Sequence, residues 1–461
     1  MKREQHATQE PPAKKLKVEQ THDPNDPRYN CPYLDTINRK VLDFDFEKVC
    51  SITLSNSNVY GCLVCGKYFQ GRGSNTPAYI HSLDENHQVF IHLANGRVWC
   101  LPDGYEVIDP SLEDIKYNLN PTYTDEQIKN IESNIKKRVS VTGTDFYPGL
   151  VGLNNIKETD GVNVVVQTLA RIEPIRSFFL KSQNLSKVKS PVLFAFCELM
   201  RKMFNPISFK AQVSPHEFMQ CVTVASNKRF KSGTATNPLD LWVWLINHMH
   251  LQLGGTTGAS NNKQTIITQV FQGTLTVSTS VSVTRGIKQE QVIESSTQTI
   301  PFMFLTCDIP PVPLFKDEHA EKIVPQVSLV TLLHKYDGNT STSVPTKTGD
   351  VQHKTYKINK WPQYLCLHMN RFGKNNFYQE KNSTIVKSLT NLEWDQRQFH
   401  MVSNICHVSN NEINDQDNTR GSYEVNVSVN HKWYNVADLH VKEVMAEEVT
   451  VSQSFLQFYK V

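Results

Sequence analysis

The chain is 461 residues long, 39% hydrophobic and 10% aromatic, enough to bury a core in each of two or three domains. Its charges balance at 48 Lys+Arg against 45 Asp+Glu, net +3. That excludes nucleic-acid binding through a broad basic face, which needs many phosphate-neutralising cations, and leaves only a local basic patch open. No apolar run reaches the roughly 18–20 residues that span a bilayer, and Met1–Gln20 lacks the apolar segment of a secretory signal.

Taken in chain order, residues 1–27 are polar and Pro-containing, with no hydrophobic period, and are expected to be disordered. Within them Pro11–Val18 carries Lys14, Lys15 and Lys17, a cluster of the nuclear-import type; the plainer reading is a solvated charge cluster on a tail. Residues 28–123 read as a small domain of short strands, turns and a Cys/His cluster. A charged connector over 124–146 follows, its helical stretch running from Thr124 to Arg138 and opening Thr-Asp-Glu-Gln, an N-cap followed by acids.

Residues 147–461 form the larger domain. Its first half has helical periodicity, as in Val192–Phe204 and Leu239–Leu253. Its second half is strand-rich: Tyr423, Val425, Val427 and Val429 alternate with polar partners at the period of a half-buried strand. Helices first and sheet later predict an α+β domain. Gly254–Lys263, rich in Gly, Ser, Thr and Asn, reads as a flexible loop.

Five of the ten cysteines fall in the first hundred residues. Without a signal peptide the compartment is read as reducing, where clustered Cys and His mean metal more often than disulfide. Cys62-Leu-Val-Cys65-Gly66 is a tight turn that aims two thiolates at one point. His81 lies sixteen residues beyond Cys65 and His87 six further. Four such ligands suit tetrahedral Zn²⁺ in a closed, structural site; the plainer reading is a thiol pair with two surface histidines.

The run Cys62–Gly66, Gly71-Arg72, His81 and His87 resembles the ubiquitin-protease-type zinc finger. Full versions of that finger bind up to three zinc ions. Here the companion positions are Tyr33, Thr53, Gln70, Pro77 and Asp103. The resemblance therefore implies one structural zinc, with Cys31, Cys50 and Cys100 as small core residues. It also implies a site for the free C-terminal tail of ubiquitin at Arg72 and Trp99, although Leu101 stands where an aromatic wall is expected. The alternative is a finger kept as a rigid docking module.

The stretch Gly152-Leu-Asn-Asn-Ile-Lys-Glu-Thr-Asp160-Gly-Val-Asn163 resembles the opening box of the ubiquitin-specific proteases, a papain-like fold of thumb, palm and fingers. In that box a cysteine starts a helix, whose dipole lowers the thiol pKa. Here the position is Asp160, expected to act as an N-cap. Asn155 matches the oxyanion-stabilising side chain, a donor worth about 3 kcal/mol of barrier where a nucleophile exists. The Gly-His-Tyr that carries the general base reads Gly421-Ser422-Tyr423, and the orienting acid, four residues after Trp433, reads Ala437 with Asp438 one step on. Loss of all three members implies a pseudo-deubiquitinase. Cys406 and His407 are strand neighbours that point to opposite faces and would not meet. Ser214–Phe218, Val270–Leu275 and Tyr364–Phe372 match further landmarks, and no CxxC lies between Val270 and Ile309 to hold a zinc in the fingers.

Within that family the chain is most similar to the inactive splicing factors of the U4/U6.U5 tri-snRNP. The likeness rests on Cys31–Arg39, Leu63–Gly73, Ser111–Ile115 and the opening box with aspartate for cysteine. It implies a nuclear, non-catalytic scaffold that supports tri-snRNP assembly or maintenance before spliceosome activation. Its partners would be tri-snRNP proteins, U5 components and their helicase included, with no membrane and with direct RNA contact open. Two other readings fit the same residues: a non-catalytic ubiquitin reader, and a residual deubiquitinase using other groups.

Overall fold

The computed structural model describes residues 26–133, 135–186, 188–256, 263–285, 290–311, 325–345, 351–374, 379–409 and 421–461. Lys14, Lys15, Lys17 and the tail around them lie outside these residues, as do 257–262 of the Gly/Ser-rich stretch. The chain divides into two compact units: Met1–Leu42 with Lys48–Glu113, and Asp43–Glu47 with Asp114–Val461.

The smaller unit is an antiparallel sheet in the order β2-β1-β3-β4-β5, built from β1 (Val59–Cys62), β2 (Tyr68–Gln70), β3 (Val89–His92), β4 (Val98–Cys100) and β5 (Glu106–Val107). Helix α1 (Pro77–Asp84) lies between β2 and β3, its proline at the first turn, where no intrahelical N–H is needed. Tyr60, Cys62, Phe69, Ala78, Phe90 and Leu101 form the core.

The larger unit opens with α2 (Glu113–Leu119), whose first residue closes the smaller one, and α3 (Asp125–Lys129). Thr124 caps α3 in a capping box with Gln127, as its sequence predicts. The helix is shorter than expected: it stops at Lys129, and Arg138 already belongs to a strand. That strand, β6 (Arg138–Val139), pairs with β7 (Asp145–Phe146). Ile128 and Phe146, both in the stretch expected to be a connector, are buried in the main core.

Strand β8 (Gly152–Leu153) then leads into α4 (Asp160–Arg171), α5 (Glu173–Leu180) and α6 (Pro191–Met203). Strand β9 (Gln212–Val213), parallel to β8, precedes α7 (His216–Ala225), α8 (Pro238–Gln252) and α9 (Ile266–Phe271). Asp43–Glu47 packs on this helical half: Lys202 Nζ donates to Phe44 O (2.6 Å) and pairs with Asp45 (3.2 Å), while Ser214 N donates to Asp45 (2.9 Å).

The remainder is sheet. β10 (Gly273–Arg285) and β11 (Glu290–Phe302) form a long hairpin, followed by β12 (Leu305–Asp308), β13 (Gln326–Ser328), α10 (Leu329–Leu333), β14 (Thr342–Pro345), β15 (Val351–Lys360) and β16 (Tyr364–Asn370). Then come β17 (Phe372–Lys374), β18 (Gln379–Lys381), β19 (Ile385–Lys387), β20 (Asn391–Trp394), β21 (Arg397–Ser409), β22 (Gly421–Val429), β23 (Lys432–Ala437), β24 (His440–Val444), α11 (Ala446–Thr450) and β25 (Ser454–Lys460). One sheet runs β11-β10-β15-β14; the main one runs β12-β16-β25-β21-β22-β23-β24, with β20 on β21. After β16, Arg371 is buried and its guanidinium holds the carbonyls of Asn382 (3.0 Å) and Thr384 (2.6 Å), stitching two connections to the strand end.

Every residue of α4 is buried, so the helix is the spine between the helical half and the main sheet. Its Val162, Val164, Val165 and Val166 are poor helix formers, each about 0.5 kcal/mol worse than alanine. Burial of each valine contributes about 1.5–3 kcal/mol, so packing outweighs propensity. Some of the buried polar groups of α4 are paired: Gln167 donates to Val151 O (2.8 Å), and Thr168 shares a hydrogen bond with Ser403 (2.8 Å), while Gln167 Oε1 and Asn163 Oδ1 have no hydrogen-bond partner among the described residues.

Candidate functional site

In the smaller unit, Cys62, Cys65, His81 and His87 converge, each offering a ligand atom within 4.8 Å of the others. Cys65 Sγ lies 3.4 Å from His81 Nε2, which is 3.0 Å from His87 Nδ1. Three local features bring them there. The Cys62–Gly66 turn closes with Gly66 N donating to Cys62 O (2.9 Å) and Cys62 N to Lys67 O (2.9 Å). Gly66 has φ +78°, and a Cβ there would sit 2.5 Å from Val41 O, so only glycine fits. His81 rides the last turn of α1 and stacks on Phe69 at 4.1 Å. A hydrogen bond from the Cys62 thiol draws the Cys65 pKa down, to about 4, and pushes that of Cys62 up, so one sulfur is ready as a thiolate ligand.

The same turn occurs three more times. In Cys50–Leu54, His92–Gly96 and Cys100–Gly104 the fifth residue donates to the first carbonyl (2.8–3.0 Å) and has positive φ, while the first N–H reaches the carbonyl one residue further on. These turns keep the knuckle shape with other partners. At Cys50, the sulfur accepts from Ile52 N and Thr53 N (both 3.4 Å), and Thr53 Oγ1 donates to Gln70 (2.9 Å). Burial raises the Cys50 pKa, but the Thr53 and Ile52 donors outweigh it and leave it lowered. At Cys100, the thiol is buried with Cys31 around Tyr105, whose hydroxyl donates to Cys31 Sγ (3.4 Å); burial pushes Cys100 up to about 12.

Arg72 and Trp99 are brought together: the exposed guanidinium lies 3.7 Å from the centroid of the half-buried indole on β4, a cation–π stack. Leu101 is fully buried in the core and forms no wall beside them.

In the larger unit, Asn155, Asp160 and Asp438 meet at the start of α4. Lys157 and Glu158 both take positive φ (55° and 58°), turning the chain so that Asn155 Oδ1 accepts from Thr159 N (2.9 Å) and Thr159 Oγ1 from Ile156 N (2.8 Å). Thr159, not Asp160, is the N-cap; Asp160 is the first helical residue. Its buried carboxylate reaches across to β22 and accepts from Tyr423 N (2.7 Å). Burial raises its pKa and the charge of Asp438 adds to the rise, opposed by the N–H groups of Tyr423, Asp160 and Gly161.

Asp438 sits at positive φ (48°) in the turn between β23 and β24. Its carboxylate is bridged: Oδ2 accepts from Asn155 Nδ2 (2.9 Å) and Oδ1 from Asn163 Nδ2 (2.8 Å), while its carbonyl accepts from Leu153 N (2.9 Å). The approach depends on Gly152, where a Cβ would lie 2.6 Å from the Leu439 backbone. Asn155, which matches an oxyanion-stabilising position, directs one N–H of its amide to Asp438. Ala437 ends β23, and Ser422 is exposed on β22 opposite Val408; the structure brings Asp438 to Asn155 in Ala437's stead.

Cys406 and His407 lie on β21 as expected. Cys406 is buried, pushed up to about 12, and its thiol donates to Ser452 Oγ (3.2 Å). The His407 ring packs edge-on between Phe372 (5.2 Å) and Tyr423 (5.0 Å).

The family profile described as ubiquitin carboxyl-terminal hydrolase matches residues 151–459, and that described as Zn-finger in ubiquitin-hydrolases and other protein matches 49–112. The chain belongs to the ubiquitin carboxyl-terminal hydrolase family. It is similar to human "Ubiquitin carboxyl-terminal hydrolase 39", 41% identical with 94% of this chain and 80% of that protein covered. It is also similar to the Schizosaccharomyces pombe "Probable mRNA-splicing protein ubp10", 36% identical over 93% and 88%. Among solved structures it resembles "Crystal structure of an essential yeast splicing factor", with 26% identity, a TM-score of 0.74 and 93% and 99% coverage. The expected α+β architecture, a zinc-finger domain followed by a protease-type fold, is thereby established.

Within this family fold, Thr159, Asn163, Tyr423 and Asp438 are the site residues that sequence reasoning left without a role. Thr159, Tyr423 and Asp438 each stood beside a position singled out; what was missing was the register that brings the β23–β24 turn onto α4. Among the described residues no helix is long and apolar enough to cross a membrane.

Proposed function

We propose that this protein is a nuclear, non-catalytic splicing scaffold that binds the U4/U6.U5 tri-snRNP and supports its assembly or maintenance. The observation that carries the reading is Asp160 at the start of α4, its carboxylate taken by Tyr423 N, with Asn155 turned onto Asp438. A carboxylate there is a far poorer nucleophile toward an amide than a thiolate. The relatives named for splicing support the role, and the basic cluster Lys14, Lys15 and Lys17 supports the nuclear location. The partners would be tri-snRNP proteins, with U5 components and their helicase as the finer expectation. Cys62, Cys65, His81 and His87 would hold one structural Zn²⁺, orienting α1 against the sheet.

A pull-down of the tagged chain from nuclear extract, probed for small nuclear RNAs, tests the proposal. Joint enrichment of U4, U5 and U6 is expected; their absence overturns it. The Arg72–Trp99 stack favours a second reading, capture of a ubiquitin tail. Titration with ubiquitin decides it: binding lost on Arg72→Ala supports the reader, and no binding ends that reading. Turnover of a fluorogenic ubiquitin substrate by the parent chain would refute the non-catalytic assignment; Asp160→Cys alone should not restore cleavage, and turnover by that variant would show that a base other than the Ser422 position serves it.

A further inference from the structure

Between α7 and α8 runs Lys228-Arg229-Phe230-Lys231, a basic loop around one buried ring. Its shape is fixed. Asn227 and Lys228 take positive φ (52° and 64°), Phe230 N donates to Ser226 Oγ (3.2 Å), and Thr223 Oγ1 donates to Phe230 O (2.9 Å). Lys228, Arg229 and Lys231 are left exposed around the anchored Phe230.

Phe230 begins a chain of rings. It lies 5.6 Å from Trp244 on α8, and Trp244 stacks nearly flat on His248 one turn later, 5.0 Å apart at 18°. Both outer rings are half-buried. His248 Nε2 lies 3.3 Å from Ser190 Oγ, next to exposed Lys189. Burial lowers the His248 pKa, which makes it a neutral stacking ring. At the other end, Gly233 N donates to the carbonyl of exposed Lys157 (2.7 Å). The acids in these segments are Glu158 and Asp240, the latter 3.6 Å from Arg229. Among the described residues no carboxylate pairs with Lys157, Lys189, Lys228 or Lys231.

Cations alone would suit any acidic surface. Cations flanking the half-buried Trp244–His248 stack suit an unpaired polynucleotide, whose phosphates take the lysines while a base extends the stack from its open end. A duplex keeps its base faces covered and could not use the rings. We propose that Lys189, Lys228, Arg229, Lys231, Trp244 and His248 form a binding platform for a single-stranded polynucleotide, probed below with RNA. It is the local basic patch that the balanced net charge leaves room for, and it stands independently of the splicing assignment.

The test is fluorescence anisotropy of the purified full chain with a fluorescein-labelled oligouridylate across a salt series. Micromolar or tighter binding is expected, with log K falling against log salt at a slope of about −2 for three neutralised phosphates. Lys228→Glu/Lys231→Glu should weaken binding at least tenfold and flatten that slope. Trp244→Leu keeps the apolar burial and removes the π face; it should weaken binding about tenfold while leaving the slope intact. If Trp244→Leu lowers the thermal midpoint, His248→Ala at the end of the ladder carries the same expectation. No binding by the parent at micromolar concentration overturns the proposal, as does unchanged affinity in the double charge reversal. RNA affinity unaffected by loss of either ring, with displacement by polyglutamate, would overturn it in favour of an acidic protein partner.

Discussion

Asp438→Asn isolates the hydrogen bonds that lock the Asn155–Asp438–Asn163 bridge. Asparagine tolerates the left-handed φ of 48° nearly as well as aspartate, so backbone strain stays constant. What changes is chemistry: both oxygens of Asp438 accept from amide nitrogens, and an asparagine must turn one NH₂ against another. Asn155 is exposed and can turn to water at little cost. Asn163 is 2% exposed, and its alternative acceptors, Leu153 O and Asn154 O, are long at 3.4 and 3.3 Å. Losing a bond to a charged acceptor at a buried donor costs about 2 kcal/mol. For a domain of this size that is a fall in Tm of about 3 °C. The assay is urea and thermal unfolding in a cycle with Asn163→Leu, which removes the buried donor. The Asp438→Asn cost should shrink by about 1–2 kcal/mol in the Asn163→Leu background. Additivity within about 0.5 kcal/mol, or an unchanged midpoint in the single variant, would refute the bridge as a stabilising contact.

Asp160→Asn should be neutral or stabilising at neutral pH, since the folded pKa of Asp160 is raised. A raised folded pKa means the ionised form is penalised by folding. Wild-type stability is therefore fullest below the unfolded value and is lost as pH rises through the folded one, so the variant's relative gain should grow over that window in unfolding curves; the opposite trend would show that the N–H donors dominate. Gly161→Ala should destabilise despite alanine's better helix propensity, by about 2 kcal/mol, because its Cβ would lie 2.0 Å from Thr236 O; urea unfolding checks the sign. Cys62→Ala should lose bound zinc and lower the unfolding transition of the smaller unit, since metal-binding energy is part of its folding energy; full zinc retention by elemental analysis would contradict the ligand set.

Much of this architecture was legible in the residues. The Cys62–Cys65 spacing with two later histidines anticipates a cluster that long-range folding then brings together, because a CxxC-Gly turn is a local structure. The alternation Tyr423 to Val429 anticipates β22, and the apolar periods anticipate α6 and α8. Less visible was anything set by approach between distant strands. Asp438 is 275 residues from Asn163, and nothing local to either announces their bond. The start of α4 was misplaced by one residue for a related reason: the Asn155–Thr159 turn puts Thr159 at the N-cap position, without a side-chain capping bond, and the Asp160 carboxylate reaches β22. Likewise, one short helix and a strand replaced the longer expected helix between Thr124 and Arg138, because Ile128 and Phe146 are drawn into the core.

The four knuckle turns of the smaller unit close on backbone carbonyls and left-handed residues before any ion is counted. A turn closed by its own backbone lets the side chains around it change one at a time. Around Cys50 and Cys100 a threonine hydroxyl and a tyrosine make the polar contacts. Read in the other direction, the turns at Cys50 and Cys100 are ready-made templates. Restoring sulfur or imidazole to them asks only for side chains, because the backbone is already bent to receive the ion.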